Sequence, residues 1–329
     1  MPANQKHLLV PTTLAAAGRA IMEGRGDVRV TTYAPSLPPA ELHALLHDAA
    51  GIALSYTRFG QAELDAARGL QVVARIGVGF DAVDVPALSA RGIPLMVAGT
   101  ANSRSVAEHA LYFMFALAKR GAQLDRMVRQ GRMHDRKTDL PVELAGKTVL
   151  VIGFGRIGTR TARRCQAMEM TVLVHDPYVP ATAIRDAGHA SAPDLDAALD
   201  QADFVTIHCP KNRETIGMFG HERLARMEHG AFLVNTARGG IVDEAALHAA
   251  IVAGQLGGAA LDVFDPEPPP ATHELLQLDR VLASPHMAGV TAEAMAAMAE
   301  VTARNMLSVL DGTPARENAV NPEVFQPRA

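Results

Sequence analysis

Thr148-Val149-Leu150-Val151-Ile152 runs directly into Gly153-Phe154-Gly155-Arg156-Ile157-Gly158. The first five residues are β-branched or apolar, the composition of a strand buried on both faces. The next six follow the pattern G-x-G-x-x-G and open a helical stretch over 159–168. A second apolar run, 171–175, ends at Asp176. Each part has a physical reason. Gly153 permits the tight turn, Gly155 lets backbone N–H groups approach a pyrophosphate, and Gly158 lets the helix pack on the strand. The helix start offers unpaired N–H donors and a partial positive charge to phosphates. Asp176, 18 residues beyond Gly158, can accept from ribose hydroxyls and would repel a 2′-phosphate, so the reading is NAD rather than NADP. The glycine triplet alone is a weak signal. With a strand before it, a helix and strand after it and a terminal Asp, it predicts a dinucleotide site.

The same alternation extends in both directions. Residues 7–10, 28–32, 51–55 and 70–76 read as strands, with helical stretches at 39–49 and 61–67 between them. Residues 147–152, 171–175, 204–208, 231–235 and 258–261 form a second series. Two β-α-β blocks predict an α/β protein with two doubly wound parallel sheets. Between the blocks, Ser105 and Glu108 have capping-box spacing, and the run to Lys119 is apolar all round, so a buried helix is expected there. An Ala- and Met-rich helix over 291–310 stops at Asp311-Gly312 and is expected to return to the first block.

Composition closes off other classes. The chain has 329 residues, a formal net charge of -4, 4% aromatics and no Trp. Its mean hydropathy is +0.08 and its pI about 6.3. A basic face or stacking platform for nucleic acid is not expected. No uncharged apolar run reaches spanning length, and the N-terminal residues carry no charged stretch before a long apolar one, so neither a membrane span nor a secretory signal is expected. Cys165 and Cys209 form no C-x-x-C pair and sit in apolar stretches. They read as inert buried thiols in a reduced, cytoplasmic setting. His43 and His47 have the spacing of a metal pair, but no third ligand accompanies them, and no metal is expected.

Three further segments carry chemistry. Arg238 follows the strand at 231–235. Glu267 lies among Pro266, Pro268, Pro269 and Pro270 after the strand at 258–261. His286 ends a short strand over 281–284. All three therefore fall at the carboxyl ends of parallel strands, where open α/β sheets bind ligands. Reducing a 2-keto acid needs a guanidinium for the carboxylate and carbonyl. It also needs a proton donor that titrates near neutrality, and a carboxylate to orient that donor. A second glycine turn, Gly77-Val78-Gly79-Phe80-Asp81-Ala82, also follows a strand. Asp81 and Asp84 would face phosphates there and Pro86 interrupts the helix, so it reads instead as a turn offering backbone N–H groups to one carboxylate.

With these segments in place, the chain resembles the D-isomer-specific 2-hydroxyacid dehydrogenases. The resemblance rests on Gly153–Gly158 with Asp176, on Asn235-Thr236-Ala237-Arg238-Gly239-Gly240, and on Ala260-Leu261-Asp262-Val263-Phe264 through Pro266-Glu267-Pro268. Ser284-Pro285-His286-Met287-Ala288-Gly289, Ser105-Val106-Ala107-Glu108-His109 and the Val78–Asp84 turn complete it. It implies a Rossmann NAD domain, residues 101–286, inserted into a flavodoxin-like substrate domain made of 1–100 and 287–329. It implies Arg238, Glu267 and His286 as catalytic residues, with His286 as acid/base. It also implies that the Val78 and Gly79 amides bind the substrate carboxylate, with Tyr56 and Arg238 also at the substrate. Cofactor contacts implied beyond Gly153, Gly155 and Gly158 are Arg156, Ile157, Asp176, Cys209, Pro210, Thr215, Thr236, Ala237, Asp262 and Gly289. A homodimer through the long helix near 105–120 is implied as well.

Two departures narrow the substrate. The phosphoglycerate dehydrogenases resemble this chain but carry an Arg where Leu54 stands, so a small, unphosphorylated 2-hydroxy or 2-keto acid is expected. Formate dehydrogenases place Gln at the position of Glu267. Two other readings share the sequence features: an NAD(H)-binding corepressor-like protein without turnover, and a dehydrogenase of another small oxyanion such as phosphite.

Overall fold

The structure, a computed structural model, describes residues 5–326. Residues 1–4 of the stretch read for a secretory signal lie outside these. The chain forms two compact units, one from residues up to Asn102 and from Thr291 onward, the other Ser103–Val290.

The first unit runs β1 (Lys6–Pro11), α1 (Ala16–Glu23), β2 (Val28–Tyr33), α2 (Pro39–Leu46), β3 (Gly51–Leu54), α3 (Gln61–Ala66), β4 (Val72–Arg75), α4 (Val85–Ala90) and β5 (Leu95–Met96). All strand pairs are parallel, in the order β2-β1-β3-β4-β5. Alternate residues go to opposite faces of the sheet, as the strand period of two requires. Leu9, Ile52, Leu54 and Val73 pack on one side. Leu8, Val10, Ala53, Val72 and Ala74 pack on the other.

The second unit contains α5 (Ser103–Lys119), α6 (Gly121–Arg129), β6 (Thr148–Ile152), α7 (Gly158–Ala167), β7 (Thr171–His175), α8 (Ala181–Asp186) and β8 (Ala190–Ser191). It continues with α9 (Leu195–Leu199), β9 (Phe204–Ile207), α10 (His221–Arg226), β10 (Phe232–Asn235), α11 (Glu244–Val252), β11 (Gly258–Leu261) and β12 (Val281–Ala283). Its seven strands are parallel in the order β12-β11-β10-β9-β6-β7-β8. The order reverses between β6 and β9, and such a switch point leaves a crevice at the carboxyl ends of the strands. Leu150, Ile152, Val205, Ile207 and Leu233 build one core. Val149, Val151, Val234 and Ala260 build the other with Phe113 and Met114 of α5. Burying each of those two α5 side chains contributes about 1.5–3 kcal/mol.

The last helix, α12 (Ala292–Leu310), is capped by Thr291, whose hydroxyl accepts from Ala294 N at 3.1 Å. Its Ala299, Ala303 and Met306 join the core of Leu8, Val10 and Met22 in the first unit. Gly312, at φ 73°, ends it.

Several local expectations are corrected. Helix α5 begins at Ser103, so Ser105 lies inside its first turn and no capping box forms there; Glu108 instead pairs with Arg164 at 3.1 Å. Nor is α5 buried all round. Val106, Ala110, Phe113, Met114 and Leu117 face the core, while Tyr112 is 59% exposed. Helix α2 stops at Leu46, which leaves His47 as its exposed C-cap, while His43 pairs with Glu63 at 3.3 Å. Pro86 does not interrupt a helix but occupies the first turn of α4, where its missing N–H costs nothing. The two-residue strands β5 and β8 are too short to leave a periodic pattern.

Candidate active site

At the end of β6, Gly153 turns at φ 89°. A Cβ on it would lie 2.8 Å from Cys209 N. A Cβ on Gly158 would lie 1.9 Å from the Gly153 carbonyl oxygen, so the start of α7 rests directly on the turn. Gly155 is different: a Cβ there would meet nothing within 4 Å, and its open side belongs to the turn that leads into α7. Arg156 is exposed beside it, and Ile157 is the N-cap of α7. Asp176, just past β7, accepts from Phe154 N at 2.7 Å and from Tyr178 N at 2.9 Å. The carboxylate therefore ties the glycine turn to the end of β7.

Past β9, burial pushes the Cys209 thiol up to about 11, and the Cys165 thiol in α7 up to about 12. Both are protonated at neutral pH; Cys165 is buried as expected, whereas Cys209 is only half-buried, because it lies in the loop past β9 and not inside an element. Thr215 closes the loop after Pro210: its hydroxyl donates to the Pro210 carbonyl at 2.7 Å and accepts from Asn212 N at 2.8 Å. His208 and Thr236 stand one residue beyond paired positions of β9 and β10. His208 Nδ1 and Thr236 Oγ1 are both buried and have no hydrogen-bond partner among the described residues. Burial lowers the His208 ring to about 3, so it is neutral. Its part was not anticipated, since nothing local separates it from a core histidine. Buried polar groups normally find partners. Two orphaned atoms at the carboxyl edge, a glycine turn open on one side and a carboxylate at the end of β7 all fit a bound dinucleotide.

The next three strands carry the expected catalytic residues. Asn235, Leu261 and Ala283 are register partners in adjacent β10, β11 and β12. Arg238, Glu267 and His286 follow these at the same edge. The Arg238 turn is shaped by Asn235, whose side chain accepts from Ala237 N at 3.0 Å and donates to the Arg238 carbonyl at 2.9 Å. Arg238 itself donates from Nη1 to the Ala237 carbonyl at 2.7 Å. Gly239 sits against the Phe264 carbonyl, where a Cβ would come within 1.9 Å. The arginine turn is thereby laid on the loop that carries Glu267.

That loop is braced by groups the sequence did not single out. Glu244 Oε1 accepts from Asp265 N at 2.8 Å, and Oε2 pairs with His273 at 2.8 Å. Burial pushes the Glu244 carboxyl up, against the opposing effect of those two partners. Lys211 pairs with Asp265 at 2.7 Å. Glu267 Oε1 then meets His286 Nδ1 at 2.8 Å, with the His286 backbone at φ 56°. Both side chains are partly exposed, at 38% and 44%. With Nδ1 engaged, the other ring nitrogen is left to act.

Asp262 is 1% exposed. One carboxylate oxygen accepts from Met287 N at 2.7 Å and from the Ser284 hydroxyl, the other from Ala288 N at 2.8 Å. The structure thus uses this residue to hold 284–288. Gly289 follows directly. In the first unit, Tyr56 lies past β3 and is 79% exposed, while Val78 and Gly79 lie past β4. Gly77 turns there at φ 122°, and Arg75 Nε donates to the Gly79 carbonyl at 2.8 Å.

Comparison with known proteins agrees with this architecture. The model of the D-isomer specific 2-hydroxyacid dehydrogenase NAD binding domain matches residues 111–288. A D-3-phosphoglycerate dehydrogenase of Archaeoglobus fulgidus is 42% identical over 273 residues, 83% of this chain and 51% of its own length. A glyoxylate reductase of Thermofilum pendens is 38% identical over 275 residues, 80% of this chain and 79% of its own length. The crystal structure of a glyoxylate reductase from Paecilomyes thermophila superimposes with a TM-score of 0.87 at 27% identity, covering 98% of this chain and 100% of that one. The chain spans about half the length of several curated relatives it matches. It belongs to the D-isomer specific 2-hydroxyacid dehydrogenase family, and NAD is its cofactor.

Proposed function

We propose that this protein catalyses reversible hydride transfer between NAD(H) and C2 of a small, unphosphorylated 2-hydroxy or 2-keto acid, of the glyoxylate or hydroxypyruvate kind. The observation that carries the reading is the 2.8 Å contact of His286 Nδ1 with Glu267, one strand from Arg238 at the same sheet edge. Bound nicotinamide supplies the hydride in reduction and takes it in oxidation. In reduction, His286 Nε2 gives its proton to the oxygen on C2 as that oxygen gains charge; in oxidation the neutral ring takes the hydroxyl proton. Glu267 keeps the ring turned so that Nε2 is the nitrogen available. The Arg238 guanidinium holds the acid and polarises its carbonyl through a planar fork. Gly153, Gly155, Gly158, Arg156 and Ile157 would hold the pyrophosphate, and Asp176 the adenosine ribose. Cys209, Pro210, Thr215, Thr236, Ala237, Asp262 and Gly289 would line the remainder.

We assign 103–290 as the cofactor unit and the other unit to the substrate, with Tyr56, Val78 and Gly79 as its substrate-facing groups. Leu54 supports an unphosphorylated substrate, because it is wholly buried and offers no cation to a phosphate. A homodimer is supported by α6, which buries none of its residues, and by the exposed apolar side chains of Tyr112, Val128, Met133 and Leu140. No helix among the described residues is long and apolar enough to cross a membrane. A cytoplasmic setting is the reading we favour. The test is NADH oxidation with glyoxylate, hydroxypyruvate, pyruvate and 3-phosphohydroxypyruvate. The highest kcat/KM on the phosphorylated acid would overturn the substrate reading. NADH binding without turnover on any acid would overturn the reading as an enzyme.

A further inference from the structure

His109 and Ser284 belong to two of the sequence segments quoted above, yet the reaction as described uses neither. They are 175 positions apart, and His109 Nε2 lies 3.0 Å from Ser284 Oγ. The Ser284 hydroxyl is also hydrogen-bonded to Asp262. The hydroxyl has one proton and donates it to Asp262, so it must accept from His109, which places the proton of that ring on Nε2. The His109 ring is fixed edge-on to Phe113, with centroids 4.4 Å apart. Asp262 in turn accepts from the amides of Met287 and Ala288 through its carboxylate, and from the His286 amide at 2.9 Å through its carbonyl. His286 thus sits in a turn whose backbone is tied to Asp262 at three successive amides. Its left-handed conformation is one that a residue other than glycine keeps only when its surroundings impose it.

We propose that Ser284 and His109 are positioning residues: the chain His109–Ser284–Asp262 holds the 284–288 turn so that the His286 ring stays on Glu267 with Nε2 free. This rests on the assignment of His286 as the acid/base group. Loss of the Ser284 hydroxyl would leave Asp262 one donor short and the His109 N–H without its acceptor, and the turn would loosen.

The test uses the full chain and the variants Ser284→Ala, Ser284→Thr and His109→Phe. Ser284→Ala is expected to lower kcat about tenfold or more, the scale of lost outer-shell support. KM and the NADH Kd, read by fluorescence, should stay within about twofold of wild type on that view. Ser284→Thr keeps the hydroxyl and should restore most of kcat. His109→Phe keeps the packing on Phe113 and should give a smaller loss than Ser284→Ala. Ring 15N spectra of His286 in the free protein, with the imidazole neutral, give a readout without turnover. Wild type should show mainly the Nδ1–H form, and Ser284→Ala a mixture of both tautomers. An unchanged ring spectrum in Ser284→Ala, a wild-type kcat in that variant, or failure of threonine to restore it would overturn the proposal. His286→Ala is the control: if that variant turns over normally, the acid/base assignment is at fault, and the ring spectrum still judges the positioning chain.

Discussion

At the carboxyl edge of the seven-stranded sheet, the end around β6 and β7 and the end around β10 to β12 are shaped by different forces. Around β6 the geometry is set by backbone sterics: Gly153 and Gly158 touch at a distance no side chain would permit, and Asp176 latches two backbone amides. Around β10 to β12 it is set by polar side chains reaching across the chain, namely Glu244, Asp262 and Ser284, with Asn235 shaping the Arg238 turn locally. The first device packs backbone on backbone and gives a cradle. The second holds segments 21 to 26 positions apart through side chains. Damage to the two ends should therefore look different: lost turnover with binding intact at one, lost binding or stability at the other.

The sharpest break should come from His286→Ala. Turnover is expected to fall by roughly a hundredfold to ten-thousandfold, the range for losing a general acid–base group. NADH binding, measured by fluorescence titration, should be unchanged. Equal losses in both would erase the distinction between the two ends.

Arg238→Lys keeps the charge and loses the planar fork. A fall in kcat/KM for the keto acid of roughly a hundredfold is expected, comparable to losing a strong transition-state contact. A large drop in NADH affinity with normal turnover would move Arg238 to the cradle side of the comparison.

Gly158→Ala probes the other end. Its Cβ would press on the Gly153 carbonyl, which is backbone and cannot swing away. Overpacking of this kind costs about 1–3 kcal/mol or more, and Tm should fall by several degrees. NADH affinity should fall with it. Wild-type Tm in calorimetry would show that the turn relaxes freely.

The smallest effect concerns cofactor choice. Asp176→Ala should raise kcat/KM with NADPH relative to NADH by roughly five- to tenfold, the relief of a screened repulsion of about 1 kcal/mol. An unchanged ratio would mean that Asp176 serves the glycine turn through Phe154 N and not the ribose.

This contrast also explains what could be read from the chain. The cradle was legible because its determinants are contiguous: a buried strand, three glycines, a helix and an Asp at the next strand end. The candidate catalytic residues were legible as positions after strands, helped by the family resemblance. The supports were not. Ser284 and His109 are ordinary residues until folding brings them together, and Glu244 reads as an unremarked first-turn acid of α11. The expected capping box at Ser105 failed for a related reason. Local spacing offered a cap, but the helix starts at Ser103 and Glu108 finds Arg164 instead. Pro86 was misjudged because one proline both breaks a helix interior and begins a helix well, and only the position of Asp84 as N-cap decides which.

Gly155 separates two kinds of selection. Gly153 and Gly158 are demanded by the fold, since a methyl group at either collides with backbone. At Gly155 the space is empty, so the folded chain alone would tolerate alanine or serine there. A descendant of this protein that gave up its cofactor would be free to drift at 155 while 153 and 158 stayed fixed. In a library screened for folding alone, substitutions should accumulate at that one glycine; a second screen for NADH binding should remove them.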